Sequence, residues 1–183
     1  RKEEVIISIP MEIERHPAQD VFDSYAREIG RLADSGKTIA VLCEGDPFFY
    51  GSFMYLHMRL STKYNIKVIP GVTSLTACAA QAGFPLASRN DIISIIPGPL
   101  EDSILEQKLL TTNVAAIIKV GKHLKKIRGI IKKLGKIENA YYVERATFEK
   151  EKISPLIDFD ENFAPYFSMI LVYMNAEILG MKK

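Results

Sequence analysis

The fold of this chain is decided by the stretch Leu42-Cys43-Glu44-Gly45-Asp46-Pro47-Phe48-Phe49-Tyr50-Gly51. The apolar run Thr38–Cys43 leads into this turn and a helical pattern follows it, which predicts a strand, a tight turn and a helix in that order. A turn of this kind forms a ligand cradle at the carboxyl edge of an α/β sheet. Gly45 lets the backbone approach a ligand closely, and Asp46 can accept hydrogen bonds.

A second turn of the same kind follows in Val68-Ile69-Pro70-Gly71-Val72-Thr73-Ser74. Two such turns after two successive strands would meet along one edge of a sheet. Taken alone, Gly45-Asp46-Pro47 is also compatible with a plain structural turn. The two turns together favour a cofactor site.

The composition is that of a globular protein. The chain has 183 residues, enough for one large or two small domains, and it is 48% hydrophobic and 25% charged with a net charge of +2. We expect no membrane segment, because the apolar runs are short, and no signal peptide. Cys43 and Cys78 have no metal or redox spacing, which predicts a cytoplasmic protein without a metal site.

Alternating strand and helix patterns predict an α/β protein. The predicted strands are Val5–Ile9, Thr38–Cys43, Ile66–Ile69, Ile92–Ile96, Val114–Val120, Ala140–Glu144 and Phe167–Val172. The predicted helices run from Pro17 to Gly36 and over Ser52–Thr62, Ser74–Ala82, Asp102–Leu110 and Lys122–Leu134. The helix breaker Pro97-Gly98-Pro99 predicts a boundary between an amino-terminal α/β domain, residues 1–97, and a carboxyl-terminal α/β domain, residues 98–183.

Two further patterns have ordinary structural explanations. Gly30 and Gly36-Lys37-Thr38 look like a phosphate-binding loop, but such a loop leaves a strand and starts a helix, whereas here the order is reversed. A helix cap explains them better. The basic helix Lys122–Leu134 is amphipathic, so a solvated face explains most of its lysines, and without interleaved exposed aromatics it does not predict nucleic-acid binding.

Four more segments complete the set of motifs: Gly83-Phe84-Pro85-Leu86, Ile118-Lys119-Val120-Gly121-Lys122-His123-Leu124, Tyr142-Val143-Glu144-Arg145-Ala146-Thr147 and Ala164-Pro165-Tyr166-Phe167-Ser168. Together with the two turns, they resemble the tetrapyrrole (corrin/porphyrin) methyltransferases of cobalamin and sirohaem synthesis from Val5 to Val172. Members of that family begin with a strand and a Gly-x-Gly-Pro-Gly-Asp-Pro loop. This segment does not precede Val5, so we expect the chain to be incomplete at its amino end.

The resemblance implies two α/β domains with the cofactor cleft between them, S-adenosylmethionine as methyl donor and no metal. The segment Phe48–Leu56 resembles members that act on precorrin-2, which implies methyl transfer to its C20 bridging carbon on the metal-free route to cobalamin. The family usually forms homodimers. Transferred position by position, the cofactor contacts are Glu44, Gly45, Asp46, Phe49, Thr73, Ser74, Val120, Ala146 and Ser168.

The implied substrate, precorrin-2, carries eight carboxylates, which require cationic and hydrogen-bonding side chains. The candidate substrate contacts are Tyr50, Lys119, Lys122, His123, Glu144 and Arg145. A local ion pair is the alternative for Glu144 and Arg145, and packing is the alternative for Tyr50. Tyr50 and Arg145 are also the candidate catalytic residues, since transfer from a sulfonium requires positioning and exclusion of water, not a protein nucleophile.

Two other functions stay open at this stage. The first is another member of the superfamily, acting on a different corrin, on diphthine or on ribosomal RNA, although the segments Phe48–Phe53 and Lys119–Leu124 argue against it. The second is a nucleotide-binding or scaffold module that has lost catalysis.

Overall fold

The protein is described for residues 19–174 by a computed structural model. The described residues form a mixed α/β structure, as the sequence predicted, in which three helices precede the first strand and helices and strands alternate from α3 to β3. The α-helices are α1 (Gln19–Asp34), α2 (Phe53–Leu60), α3 (Ser74–Ala82), α4 (Asp102–Leu110) and α5 (Leu124–Lys133). The strands are β1 (Ile93–Pro97), β2 (Val114–Ile118), β3 (Ala140–Glu144), β4 (Lys152–Pro155) and β5 (Ser168–Tyr173). Short 3-10 turns cover Gly121–His123, Ile137–Asn139 and Leu156–Asp158.

The described residues divide into two compact units between Thr73 and Ser74. In the amino-terminal unit, α1 and α2 bury Phe22, Leu56 and Leu60 against each other. Arg59 Nε donates to Asp23 Oδ1 at 2.5 Å across the two helices. Burial of three large apolar side chains supplies most of the stability of this pair, at about 1.5–3 kcal/mol each.

The carboxyl-terminal unit is built on a five-stranded sheet of order β1-β2-β5-β3-β4. β1 and β2 are parallel, and every other neighbouring pair is antiparallel. Because β5 runs between β2 and β3 in the opposite direction, the carboxyl ends of β2 and β3 and the amino end of β5 lie at one edge of the sheet. At this edge Lys119 follows β2, Arg145 follows β3 and Phe167 precedes β5. We call it the sheet edge.

Both faces of this sheet are covered, which explains the continuous apolar runs of its central strands. Alternate residues of β2, β3 and β5 pack with α4 and α5 on one face, where Leu105, Leu124 and Ile127 are fully buried. The other residues of the same strands pack with Cys78 and Ala79 of α3 on the opposite face. The predicted elements of this unit are therefore confirmed, except that β4 was not predicted.

The predicted strands Thr38–Cys43 and Ile66–Ile69 are wrong for the described range, in which neither segment pairs in a ladder. A strand exists only with a hydrogen-bonded neighbour, and periodicity alone cannot supply one. Leu42 and Ile69 are 91% and 73% exposed, so these two apolar residues belong to no core of the described structure. The predicted strand Val5–Ile9 lies outside the described residues. The predicted boundary after Pro97 stays a prediction, and β1 ends there while paired with β2.

Candidate functional site

The two predicted turns of the amino-terminal unit lie against each other, and Asp46 joins them. Its Oδ2 accepts a hydrogen bond from the Gly71 backbone N–H at 3.0 Å, and its Oδ1 accepts one from the Phe48 N–H at 2.9 Å. The first of these bonds crosses from one turn to the other, and the second closes the turn in which Asp46 lies. The prediction that the turns meet is confirmed, although no described strand leads into either of them.

The carboxyl group of Asp46 is held as a carboxylate. The backbone N–H of Gly71, and then that of Phe48, lower the pKa of Asp46 because they bind its charged form. A carboxylate that accepts two backbone N–H groups fixes the path of both segments. This residue is therefore a structural bridge of the turn, in addition to a candidate ligand contact.

Glycine is required at both turns because their backbones touch. Gly45 has φ +77°, a conformation that side chains disfavour. A Cβ on Gly71 would lie 2.2 Å from the Gly45 carbonyl oxygen, which no relaxation of a side chain can relieve. The two glycines thus allow a close backbone pair whose outer surface is exposed.

Aromatic side chains follow the first turn. Tyr50 has φ +53° and is 50% exposed, and its ring meets that of Phe49 edge-on at 5.2 Å. Phe48 packs edge-on against His57 of α2 with ring centroids 4.9 Å apart. A non-glycine residue in the left-handed region is strained, and such residues concentrate at ligand sites. Tyr50 therefore keeps its place as a candidate contact.

The sheet edge holds two strained cations. Lys119 follows β2 with φ +55°, and Arg145 follows β3 with φ +49°. Since β5 separates them, the strands β2 and β3 lie about 10 Å apart. Arg145 N–H donates to the carbonyl of Phe167 at 2.8 Å, and Gly98 N–H donates at 2.8 Å to the carbonyl of Ile118, the residue before Lys119.

A buried carboxylate stands beside this edge. Glu144 is 8% exposed, and its Oε2 accepts a hydrogen bond from the Tyr142 hydroxyl at 2.8 Å. Its Oε1 accepts from Arg145 Nη1 at 2.6 Å. Burial, and then the hydrogen bond to the Glu144 carboxylate, raise the pKa of Tyr142, so its hydroxyl remains a donor.

The other predicted residues of the carboxyl-terminal unit surround the same edge. Val120 is fully buried, so neither its side chain nor its backbone is exposed in this structure. Ser168 pairs with Glu144 across β5 and β3, and its hydroxyl donates to the Pro165 carbonyl at 2.7 Å. Lys122 and His123 lie in the 3-10 turn that follows β2.

The remaining predicted cofactor positions are distributed over both units. Ala146 is half-buried and follows Arg145 directly. In the amino-terminal unit, Glu44 is exposed beside Gly45, and Thr73 is half-buried at the end of the second turn. Ser74 is the first residue of α3.

Two features were not singled out from the sequence. The first is Tyr142, which lies two residues before Glu144 and so on the same face of β3, a signal that strand periodicity contains. The second is a set of exposed aromatic rings beside Arg145, in which Phe148 stacks on Phe167 at 5.7 Å and Tyr166 meets Phe167 at 5.2 Å. Its residues come from two loops that are distant in sequence, so local sequence patterns do not predict that these rings meet.

Two kinds of feature are absent from residues 19–174. No group of three or more His, Cys, Asp or Glu side chains in this range could hold a metal ion. No helix in the same range is long and apolar enough to cross a membrane.

Comparison with known proteins supplies a family. The family model described as Tetrapyrrole (Corrin/Porphyrin) Methylases matches residues 2–156. The precorrin-2 C(20)-methyltransferase of Sinorhizobium sp is 40% identical over 153 residues, which cover 84% of this chain. The match spans 62% of the length of that relative.

Solved structures share the fold at lower identity. A cobalt precorrin-4 methyltransferase superposes with a TM-score of 0.67 at 21% identity, covering 90% of this chain and 74% of its own. The uroporphyrin-III C-methyltransferase of Thermus thermophilus, solved as a complex with S-adenosyl homocysteine, gives a TM-score of 0.60 at 22% identity. That match covers 82% of this chain and 72% of the Thermus protein.

Proposed function

Because the chain belongs to the tetrapyrrole (corrin/porphyrin) methylase family, as its sequence predicted, we propose that it acts in an S-adenosylmethionine-dependent C-methyltransferase. The reaction is methylation of precorrin-2 at C20 to give precorrin-3A in cobalamin biosynthesis. The observation that supports this most is the 40% identity to the Sinorhizobium precorrin-2 C(20)-methyltransferase. The name of that relative also favours the metal-free substrate over a cobalt-bearing one.

The joined turns fit the cofactor. S-adenosylmethionine presents an adenine ring, a ribose and a charged amino acid, which bind to backbone groups and apolar surface. The turns offer an exposed backbone around Gly45, and the apolar side chains of Ile69 and Val72 are 73% and 71% exposed. We assign Glu44, Gly45, Asp46, Phe49 and Thr73 of this unit to the cofactor, and from the carboxyl-terminal unit Ser74, Val120, Ala146 and Ser168.

The sheet edge fits the carboxylates of the substrate. Lysines and arginines occupy eight positions from Lys119 to Lys136, with no acidic residue among them. Lys119 and Arg145 come from this edge with fixed backbones, and Lys122 and His123 follow in the next turn. We assign these four residues, with Glu144 and Tyr50, to the substrate.

The cofactor supplies an activated methyl group, so the protein has to position the acceptor carbon and exclude water. Arg145 would bind one peripheral carboxylate and so orient the macrocycle. Tyr50, which is 50% exposed, is the candidate to form a hydrogen bond to the macrocycle through its hydroxyl. No protein nucleophile is required.

The proposal includes the cellular compartment and the oligomeric state of the protein. We propose a cytoplasmic location, which two free cysteines without a disulfide support. We propose a homodimer without a metal cofactor, as the family resemblance implies.

A mass assay tests the proposal. The longest native form of the protein would be incubated without oxygen with S-adenosylmethionine and fresh precorrin-2. The expected product has gained one methyl group. A folded protein that binds S-adenosylhomocysteine but leaves precorrin-2 unchanged would contradict the proposed substrate and retain the methyltransferase class.

A further inference from the structure

Two hydrogen bonds in series connect the core of the carboxyl-terminal unit with its surface. The Tyr142 hydroxyl donates to Glu144 Oε2 at 2.8 Å, and Glu144 Oε1 accepts from Arg145 Nη1 at 2.6 Å. Tyr142 is fully buried, whereas the side chain of Arg145 is 41% exposed. The exposed guanidinium is thus connected to a core residue through one buried carboxylate.

The inner end of this connection is rigid. The Tyr142 ring stacks on Phe159, with centroids 3.9 Å apart and planes 24° apart. Tyr142 and Glu144 are two residues apart on β3 and face the same side of the sheet. The buried carboxylate therefore has one orientation, set by the tyrosine, and it offers its second oxygen to Arg145.

The backbone of Arg145 is fixed as well. Its N–H donates to the Phe167 carbonyl at 2.8 Å, and its carbonyl accepts from Phe148 N–H at 2.9 Å. These bonds hold it at φ +49°, which an isolated arginine would avoid. A guanidinium has five N–H groups. Within residues 74–174, the side chain of Arg145 donates to Glu144. The other N–H groups of Arg145 can therefore donate to a ligand.

A purely stabilising role does not account for this arrangement. An ion pair with a half-exposed arginine contributes little to stability, and burying a carboxylate has a cost of its own. A fixed, partly exposed guanidinium is well suited to bind a carboxylate, because its planar set of N–H groups matches the two carboxylate oxygens. Its side chain is already ordered, so binding costs less conformational entropy.

We propose that Tyr142, acting through Glu144, is a positioning residue for Arg145, and that Arg145 receives a peripheral carboxylate of the macrocycle. The inference rests on the proposed tetrapyrrole substrate. It assigns a role in substrate binding to a buried tyrosine that touches no substrate itself. Loss of the Tyr142 hydroxyl should weaken carboxylate binding only while Arg145 is present.

A double-mutant cycle tests this coupling. The four proteins are the wild type, Tyr142→Phe, Arg145→Met and the double variant, titrated with uroporphyrin III, a tetrapyrrole with eight carboxylates that the enzyme does not consume. We expect Tyr142→Phe to raise the dissociation constant about 5-fold and Arg145→Met about 10-fold or more. The double variant should bind no more weakly than Arg145→Met, and the affinity for S-adenosylhomocysteine should stay unchanged.

Tyr173→Phe is the matched control. Tyr173 is also fully buried on this sheet, but its hydroxyl has no hydrogen-bond partner among the described residues. This variant should bind uroporphyrin III like the wild type. Melting temperatures of all variants show that each is folded.

Several results would overturn the inference. Tyr142→Phe could change the dissociation constant equally with and without Arg145, or it could leave that constant unchanged. The wild type could also fail to bind uroporphyrin III. Failure of the proposed reaction is a different result. In that case uroporphyrin III binding and its coupling persist while precorrin-2 gains no methyl group.

Discussion

Asp46 and Gly71 show how single residues form the joined turns of the amino-terminal unit. The carboxylate accepts N–H groups from both turns, and the missing side chain at Gly71 lets the backbones touch. Neither residue has to contact a ligand to be essential for the shape of the turns. Their effects on binding and on stability can therefore be separated by choosing the substitution.

We predict that Asp46→Ala weakens binding of S-adenosylhomocysteine about 10-fold, because two backbone N–H groups lose their common acceptor and the turns separate. Isothermal titration calorimetry measures this change. Glu28→Ala, at an exposed position of α1 in the same unit, is the comparison variant for loss of a carboxylate alone. Wild-type affinity in Asp46→Ala would show that the bridge does not shape the cofactor site.

The same carboxylate predicts a dependence of stability on pH. Its pKa is lowered in the folded protein, so the folded state binds this proton more weakly than the unfolded chain, whose pKa is about 3.9. The stabilisation is complete above the unfolded pKa and is lost as the pH falls through the folded pKa. We expect the difference in melting temperature between wild type and Asp46→Asn to be constant from pH 7 to about pH 5 and to shrink in more acid solution. A constant difference down to pH 2.5 would contradict this assignment.

Gly71→Ala should destabilise the protein by about 3 kcal/mol, because its Cβ would meet the Gly45 carbonyl oxygen at 2.2 Å. Gly129→Ala is the control, since its Cβ would meet nothing within 4 Å and the residue lies inside α5. Alanine there should raise the free energy of unfolding by about 0.5–1 kcal/mol. Chemical denaturation measures both values, and equal effects at the two glycines would refute the backbone contact.

At the scale of elements, the sheet edge organises the candidate substrate contacts of the carboxyl-terminal unit. β2 and β3 end at the same edge because the antiparallel β5 lies between them. Both strands stop in residues with positive φ, Lys119 and Arg145, which turn the chain sharply away from the sheet. The polar groups that the sequence places after these strands are thereby concentrated in one region.

The lysines of α5 provide an internal comparison. Lys125 and Lys132 are exposed on this helix, whereas Lys119 and Lys122 are near the sheet edge. We expect Lys119→Gln and Lys122→Gln each to raise KM for precorrin-2 about 5- to 10-fold through loss of a charged donor. Lys125→Gln and Lys132→Gln should change it less than about 2-fold. Steady-state kinetics at one fixed ionic strength measures these KM values. Equal increases of KM at all four positions would indicate only general electrostatic attraction of an anionic substrate.

At the scale of the whole molecule, the sequence predicted the carboxyl-terminal unit well. Strands such as Ala140–Glu144 and helices such as Asp102–Leu110 coincide with their predicted bounds. Their apolar residues are buried on both faces of one sheet, so local pattern and packing agree. The family was predictable too, because its motifs are turns and strand ends whose residue types are fixed by backbone geometry.

Other features could not be predicted from the sequence. Thr38–Cys43 is apolar enough for a strand, but a strand depends on a partner that local sequence does not specify. The short β4 was missed because Lys152–Pro155 ends in proline, which edge strands tolerate and central strands do not. The bond from Tyr142 to Glu144 required side-chain positions, since strand alternation indicates a shared face but not a contact.

The most direct test of the central claim is the position of the transferred methyl group. The protein would be supplied anaerobically with precorrin-2 and S-adenosylmethionine labelled with carbon-13 in its methyl group, and the product examined by NMR. The account predicts one labelled methyl carbon attached to C20. A label at any other carbon, or an unlabelled macrocycle recovered from a protein that binds S-adenosylhomocysteine, would contradict it.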